Sequence, residues 1–469
     1  MTTALGFTPN QQAAIDELSQ PLQLIACAGS GKTEVLAQRI ANILSQPGVR
    51  PANVIAFTFT EKAAAELKER VHRTVTAKLP GIVGLAEMYI GTMHGFCLDL
   101  LQTYIPETFK YGVLTDITQQ LLIDRETNKS GFNTAVKTVQ GVESSLRRYT
   151  DTRVFKGALS ILQEDAVDFG LVPPETTASL AKYKDFLADK RYFDYTSMMV
   201  EAVGFLERSQ TATILDTAEQ SLRDHVENDV KYVIVDEYQD VNPIQERLVA
   251  RLVHFGANLC VVGDDDQTIY QWRGSDVQNI LTFDDRYASV RAIRLEENFR
   301  SSKGIVELGR SVAERLDSVE RLPKKMIAAG HQTWERGDML TLQFENPSEE
   351  AQWIVERIVE LQGMPFTDRP GSEPRGLSWS DCAVLFRSVK DADDLVDELK
   401  RRDIPFIVKG LARLFDAIEI QACVGLFRYM LGEITATDLR DLWDAARLIP
   451  DSSKWAAVLR ALDDGADFS

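Results

Sequence analysis

The segment that most restricts the fold is Leu22 to Leu44, LQLIACAGSGKTEVLAQRIANIL. It opens with a short apolar run at 22–28, stops at Gly29-Ser30-Gly31, and resumes with apolar residues at helical spacing. A buried strand, a glycine loop and a helix in that order belong to a parallel α/β sheet. A second such unit follows: Val54 to Phe57 predicts a buried strand, and Glu61 to Val71 an amphipathic helix with Thr60 placed to cap it. Two more strands, Tyr232 to Val235 and Leu259 to Val262, each end in a burst of acidic residues. The stretch between, about Asp99 to Asn228, is helical in pattern and has no such strands. One parallel sheet interrupted by a helical insertion is therefore expected, with polar residues at the carboxyl ends of strands, where such folds bind ligands. A second α/β pattern starts near Ser289 with VRAIRL and continues through Leu340 to Phe344, Cys382 to Phe386 and Ile404 to Val408. After Phe415 the pattern turns helical.

A chain of 469 residues predicts several domains, each with its own core. Its formal net charge of -18 speaks against coating nucleic acid through bulk positive charge, so any such contact must be local. The five cysteines lie far apart with no CxxC pair, which suggests neither a zinc site nor a disulfide framework and fits a reducing compartment. The N-terminus lacks the basic and apolar regions of a signal peptide, and no apolar run approaches a bilayer's thickness. A cytoplasmic protein with no membrane partner is expected.

Ala26-Cys27-Ala28-Gly29-Ser30-Gly31-Lys32-Thr33 reads as a phosphate loop with Ala at the usual first glycine. Backbone N–H groups turned inward, and the positive end of the following helix, suit phosphate. Lys32 would bind the β- and γ-phosphates of ATP and Thr33 would hold Mg²⁺. A chance glycine-rich turn is the bland alternative, weakened by the flanking strand and helix. At 233–240, VIVDEYQD delivers Asp236 to the metal and Glu237 to the attacking water, a pair that implies hydrolysis. Alone it would read equally well as an acidic strand end facing solvent. A third cluster, VVGDDDQTIYQWRG at 261–274, places Gln267 to sense the γ-phosphate and offers Tyr270 and Trp272 for base stacking, worth about 1–3 kcal/mol per base. Trp272 as a core anchor is the competing view.

These stretches, with LEENFRS at 295–301, stand in the order and approximate spacing of the UvrD/Rep family of superfamily-one DNA helicases, which this chain resembles from Phe7 to about Ile420. FTPNQ at 7–11, FTFTEKAAAELKERV at 57–71, GTMHGFC at 91–97 and FDYTSMM at 193–199 extend the resemblance. It implies two RecA-like P-loop motor domains, the second incomplete, with helical insertions. Gln11 would read adenine, Phe299 would stack on it, and Arg300 would reach from the second motor domain to the γ-phosphate as an arginine finger. Phe59, His94, Tyr270 and Trp272 fall where the family contacts single-stranded DNA. Taken singly, Arg300 also suits a surface ion pair, His94 a helix cap and Phe59 a core position. The implied layout is 1–98 and 229–288 for the first motor domain, 99–228 for its helical insertion, 289–415 for the second motor domain and 416–469 for the start of a second insertion.

Four positions depart from the family pattern. Phe299 replaces a more usual Tyr, Glu34 follows the phosphate loop where several relatives have Arg, and Thr196 and Ser197 stand where relatives often have acids. Glu34 is expected to weaken nucleotide affinity by repelling the triphosphate. The family's last two motifs, a TxHxxKGLE-like and a TRAxxxL-like stretch, are nowhere in the sequence, so a partial chain, or one completed by another polypeptide, is expected. The leading expectation is an ATP-dependent 3′ to 5′ helicase or translocase on single-stranded DNA and single-strand/duplex junctions. A nucleotide-gated DNA-binding or regulatory module with weak ATPase, and a P-loop ATPase with no DNA track, are the alternatives.

Overall fold

The computed structural model describes residues 6–164, 167–270, 274–316, 321–368, 370–409 and 418–446, together with 454, 455, 457 and 460. The chain divides into two compact units, 1–339 and 340–469. In the first, six parallel strands form one sheet: β1 (Leu22–Ala26), β2 (Val54–Phe57), β3 (Tyr89–Gly91), β4 (Tyr232–Val235), β5 (Asn258–Gly263) and β6 (Arg291–Leu295), in the order β6-β1-β5-β4-β2-β3.

The sheet is covered on both faces, which is why its strands read as continuous apolar runs. Val54, Ala56, Ile234, Cys260 and Val262 face α1 (Pro9–Asp16), α2 (Lys32–Leu44) and α3 (Glu61–Lys78). Ile55, Phe57, Val233, Val235, Leu259 and Val261 face α4 (Met93–Tyr104) and the helices at Tyr195–Thr211, Thr217–Asn228 and Pro243–Leu252. Each fully buried Leu, Ile or Val side chain stabilises this sandwich by roughly 1.5–3 kcal/mol. Gln23 breaks the apolar run of β1, and its buried amide is satisfied by the Ile280 carbonyl at 2.6 Å. Arg39 is also buried; its guanidinium donates to the carbonyls of Ala14 and Glu17 and to Asn258, tying α1, α2 and β5 together.

Thr60 caps α3 as expected, accepting from Ala63 N–H. β3 was not foreseen, because three residues are too few to show a period. The strand at 291–295 corrects the expectation that VRAIRL opens a second α/β pattern: it is the edge strand of the first sheet, with Leu22 opposite Arg291 and Ala26 opposite Leu295. Hydropathy shows that a strand exists but not which sheet it joins. The region 99–228 is helical as expected, yet it also carries a hairpin, Val136–Val139 with Val142–Ser145, and a two-residue parallel ladder.

The second unit contains helices Pro347–Leu361 and Asp393–Arg401, packed around Ala351, Val355, Leu395, Leu399 and Ile404, and the helix pair Ile418–Met430 and Ala436–Ala445. Among the described residues, the expected strands at Leu340 to Phe344, Cys382 to Phe386 and Ile404 to Val408 carry no strand pairing. An apolar run needs a hydrogen-bonding neighbour to become a strand. Leu385 and Ile407, 93% and 90% exposed, show what lacking one entails. Among the described residues, no helix is long and apolar enough to cross a membrane.

Candidate nucleotide and nucleic-acid site

The carboxyl ends of β1, β4 and β5 bring the sequence motifs together. After Ala26 the chain turns through Cys27 and Ala28, and Gly29 and Gly31 adopt φ of +70° and +83°, which a side chain would strain. A Cβ on Gly29 would also lie 2.8 Å from the Asn298 amide. Ser30 is buried, and its Oγ has no hydrogen-bond partner among the described residues. An orphaned buried hydroxyl within a glycine turn at a helix N-terminus fits a phosphate oxygen.

Lys32 points to Glu237, its Nζ 3.1 and 3.2 Å from the two carboxylate oxygens. Glu237 itself sits at φ +51°, a left-handed conformation that costs a non-glycine residue about 1–2 kcal/mol. That strain swings its carboxylate into the phosphate loop. Asp236 precedes it, tied to β2 by its N–H to the Phe57 carbonyl at 2.9 Å. Burial, and then the neighbouring Glu237 charge, push the Asp236 carboxyl up to about 6; burial, then Glu237, push Asp240 to about 7. A cation beside Asp236 would relieve both effects, so the donor set of Thr33 and Asp236 suits Mg²⁺.

Gln239, 2% exposed, links two motifs in a way the sequence reading missed. Its amide donates to Glu237 at 3.0 Å and its carbonyl accepts from Asp264 N–H at 3.0 Å. Asp264 in turn accepts from Gln267 at 2.6 Å, so a hydrogen-bonded series runs Lys32, Glu237, Gln239, Asp264, Gln267. Cys27, buried behind this loop, has its thiol pushed up to about 12, first by burial and then by Asp264. Gln11 lies against the loop: its Nε2 donates to the Ser30 carbonyl at 3.0 Å and its Oε1 accepts from Thr8 N–H. One amide hydrogen and one lone pair remain for a ligand.

Phe299 and Arg300 reach the loop through Asn298, a second residue the sequence reading passed over. The buried Asn298 side chain donates to the Ala28 carbonyl at 2.8 Å and accepts from the N–H groups of Arg300 and Ser301, while Phe299 N–H donates to the Gly29 carbonyl. The Phe299 ring is 39% exposed beside the glycines, and the Arg300 side chain is exposed. Arg300 was expected to reach over from a second motor domain. In the structure it lies within the compact unit 1–339 that also holds the phosphate loop, just after a strand that joins that loop's own sheet. Glu34 does not stand as a bare charge near the triphosphate: Arg70 pairs with it at 3.2 Å and Gln38 donates to it at 2.8 Å.

Of the candidate DNA-contacting residues, Phe59 and Tyr270 stack on each other, with ring centroids 5.1 Å apart and planes at 24°. His94 packs edge-on against Tyr195 at 5.4 Å, and burial lowers its pKa, which keeps the ring neutral. It is not the cap of α4; Thr92 is, accepting from Gly95 N–H. A cavity of about 260 Å³ runs from Phe59 and His94 to Asp236, Glu237 and Asp240. Trp272 lies outside the described residues. The 193–199 segment has a structural use: Asp194 caps its helix and accepts from Tyr183 and Gln119, and Thr196 donates to Glu164, whose other oxygen accepts from Asn242.

Residues 7–288 match the family model of the UvrD/REP helicase N-terminal domain, and residues 293–442 match that of the UvrD-like helicase C-terminal domain. The chain is 31% identical over 436 residues to an ATP-dependent DNA helicase PcrA of Staphylococcus epidermidis, covering 90% of this chain and 53% of that protein. It is also 31% identical over 422 residues to the PcrA of Staphylococcus aureus, with 89% and 53% covered. The chain thus spans about half the length of these curated relatives.

Proposed function

From its membership of the UvrD/REP helicase family, we propose that this chain hydrolyses ATP to move 3′ to 5′ on single-stranded DNA and to open duplex at single-strand/duplex junctions. The observation that carries this reading is the convergence of Lys32, Glu237, Gln239, Asp264 and Gln267 in one hydrogen-bonded series beside the glycine loop. Lys32 binds the terminal phosphates, Ser30 and the loop amides cradle them, and Phe299 covers the base with Gln11 at its edge. Glu237 orients a water and accepts its proton; Gln267 and Arg300 meet the charge that develops on the transferring group. Thr33 and Asp236 would hold a Mg²⁺ ion, which would supply charge neutralisation on the phosphates. Phe59, His94 and Tyr270 contact DNA, joined on the sequence pattern alone by Trp272, and the cavity that Phe59 and His94 line with Glu237 gives base binding a direct route to that carboxylate. A cytoplasmic location accompanies this role.

The test is ATPase activity with and without single-stranded DNA, followed by strand displacement on a 3′-tailed duplex. Stimulation by DNA, abolished by Lys32→Ala, is expected; turnover indifferent to DNA sinks the proposal. The exposed apolar residues of the second unit, such as Leu385 and Ile407, favour a second reading, a nucleotide-gated DNA-binding or regulatory module with weak ATPase, whose unwinding awaits another polypeptide. DNA-dependent nucleotide turnover without strand displacement is its signature.

A further inference from the structure

Beyond Arg300 the chain returns to the site as a strap at 321–329. Arg321 grips Asp266 with two nitrogens, at 2.7 and 3.1 Å, and Leu322 N–H donates to Asp265 at 2.8 Å. Lys324, its side chain wholly inaccessible, bonds Asp265 and stands 3.2 Å from Asp264 and 3.3 Å from Asp266. The strap then pairs Ile327–Ala328 with Glu297–Asn298, and Ala329 N–H donates to the Asn298 carbonyl. One short segment therefore holds both the acidic turn that carries Gln267 and the Asn298 turn that carries Arg300.

A buried ammonium is tolerated only when paired, and three adjacent carboxylates are tolerated only when something cationic gathers them. Each group here needs the other. The Asp264 oxygen that accepts from Gln267 belongs to a carboxylate whose second oxygen faces Lys324. Displacing Lys324 releases three like charges around that turn and frees Gln267 to follow them.

We propose that Lys324, with Arg321, is a positioning residue for ATP turnover, holding Gln267 and Arg300 in register against the phosphate loop. This rests on the ATPase reading above. The experiment is a double-mutant cycle on the whole chain between Lys324→Met and Gln267→Ala, reading kcat and KM for ATP with single-stranded DNA present, with melting temperature as a check on folding. Lys324→Met should lower kcat about 10–100-fold with KM held within about threefold, because misplacement of a group costs rate rather than ground-state binding. Adding Gln267→Ala should then remove little more, since the glutamine is already out of place. Arg321→Gln, which leaves Lys324 in its site, is put through the same cycle and carries the test if Lys324→Met does not fold. Losses that simply multiply, or an unchanged kcat in a folded variant, overturn the proposal while leaving the ATPase reading intact. A wild-type chain with no ATP turnover would instead remove both.

Discussion

Lys32 is paired with Glu237, the residue proposed to orient water, so ATP and Glu237 compete for the same ammonium group. The nitrogen lies 3.1 Å from the nearer oxygen, and the two side chains are 15% and 34% exposed. That places the pair between surface contacts, worth about 0.2–1 kcal/mol, and buried ones, whose disruption costs about 3–5 kcal/mol. Solvent screening at Glu237 argues for the lower end, about 1–1.5 kcal/mol of competition against the phosphate. Glu237→Gln keeps the size and an oxygen acceptor while deleting the charge. It should raise Mg·ATP affinity about 5–10-fold while abolishing hydrolysis. Equilibrium titration with a fluorescent ATP analogue, at fixed magnesium and on protein of unchanged melting temperature, measures this. Equal or weaker binding by the glutamine variant would refute the idea that the pair is a competitor of the nucleotide.

Gly29→Ala places a Cβ on a +70° backbone and against Asn298 at 2.8 Å; strain of about 1–2 kcal/mol plus that clash should reduce ATP binding at least tenfold by calorimetry. Asn298→Ala orphans the N–H groups of Arg300 and Ser301 and the Ala28 carbonyl; kcat should drop about 10–100-fold, and an unaltered kcat would show that Arg300 needs no such anchor. For pH, burial and the Glu237 charge raise the Asp236 carboxyl to about 6 from a usual value near 3.9. An acid raised in this way costs the fold stability as pH climbs between these values, whereas bound Mg²⁺·nucleotide would favour its ionised form. Binding should therefore weaken as pH falls below about 6, by up to tenfold per pH unit, and Asp236→Asn should lose that part of the slope; identical slopes in the two proteins would contradict it.

The convergence of Lys32 and Glu237 was legible because its signals are local: a glycine loop between strand and helix, and a carboxylate pair ending an apolar run, announce themselves within a few residues. Gln239, Asn298 and Lys324 escaped notice because their roles exist only across the fold. Gln239 is an unremarkable letter in VDEYQD until the end of β5 arrives beside it, and Asn298 matters only through a partner 270 residues away. A signal for Gln239 was nevertheless present, since Gly263 has room only for hydrogen where the Gln239 carbonyl sits, 2.6 Å from where a Cβ would be. The assignment of 291–295 to the wrong sheet has the same origin, because periodicity carries no address. Glu34 shows the converse, a charge that seemed misplaced in one dimension and is partnered by Arg70 in three.

The position of β1 between β5 and β6 also governs how the molecule comes into being. The strand that leads into the glycine loop is made among the first residues, and neither neighbour exists until well over two hundred more have been joined. At about 5–20 residues per second, a ribosome takes tens of seconds to supply them. For that interval an apolar ribbon waits beside a helix with no ladder on either side. Completion of β6 finishes the sheet and brings Asn298 to the glycines in the same event, so an intact glycine-loop site certifies that the six-stranded sheet has been assembled.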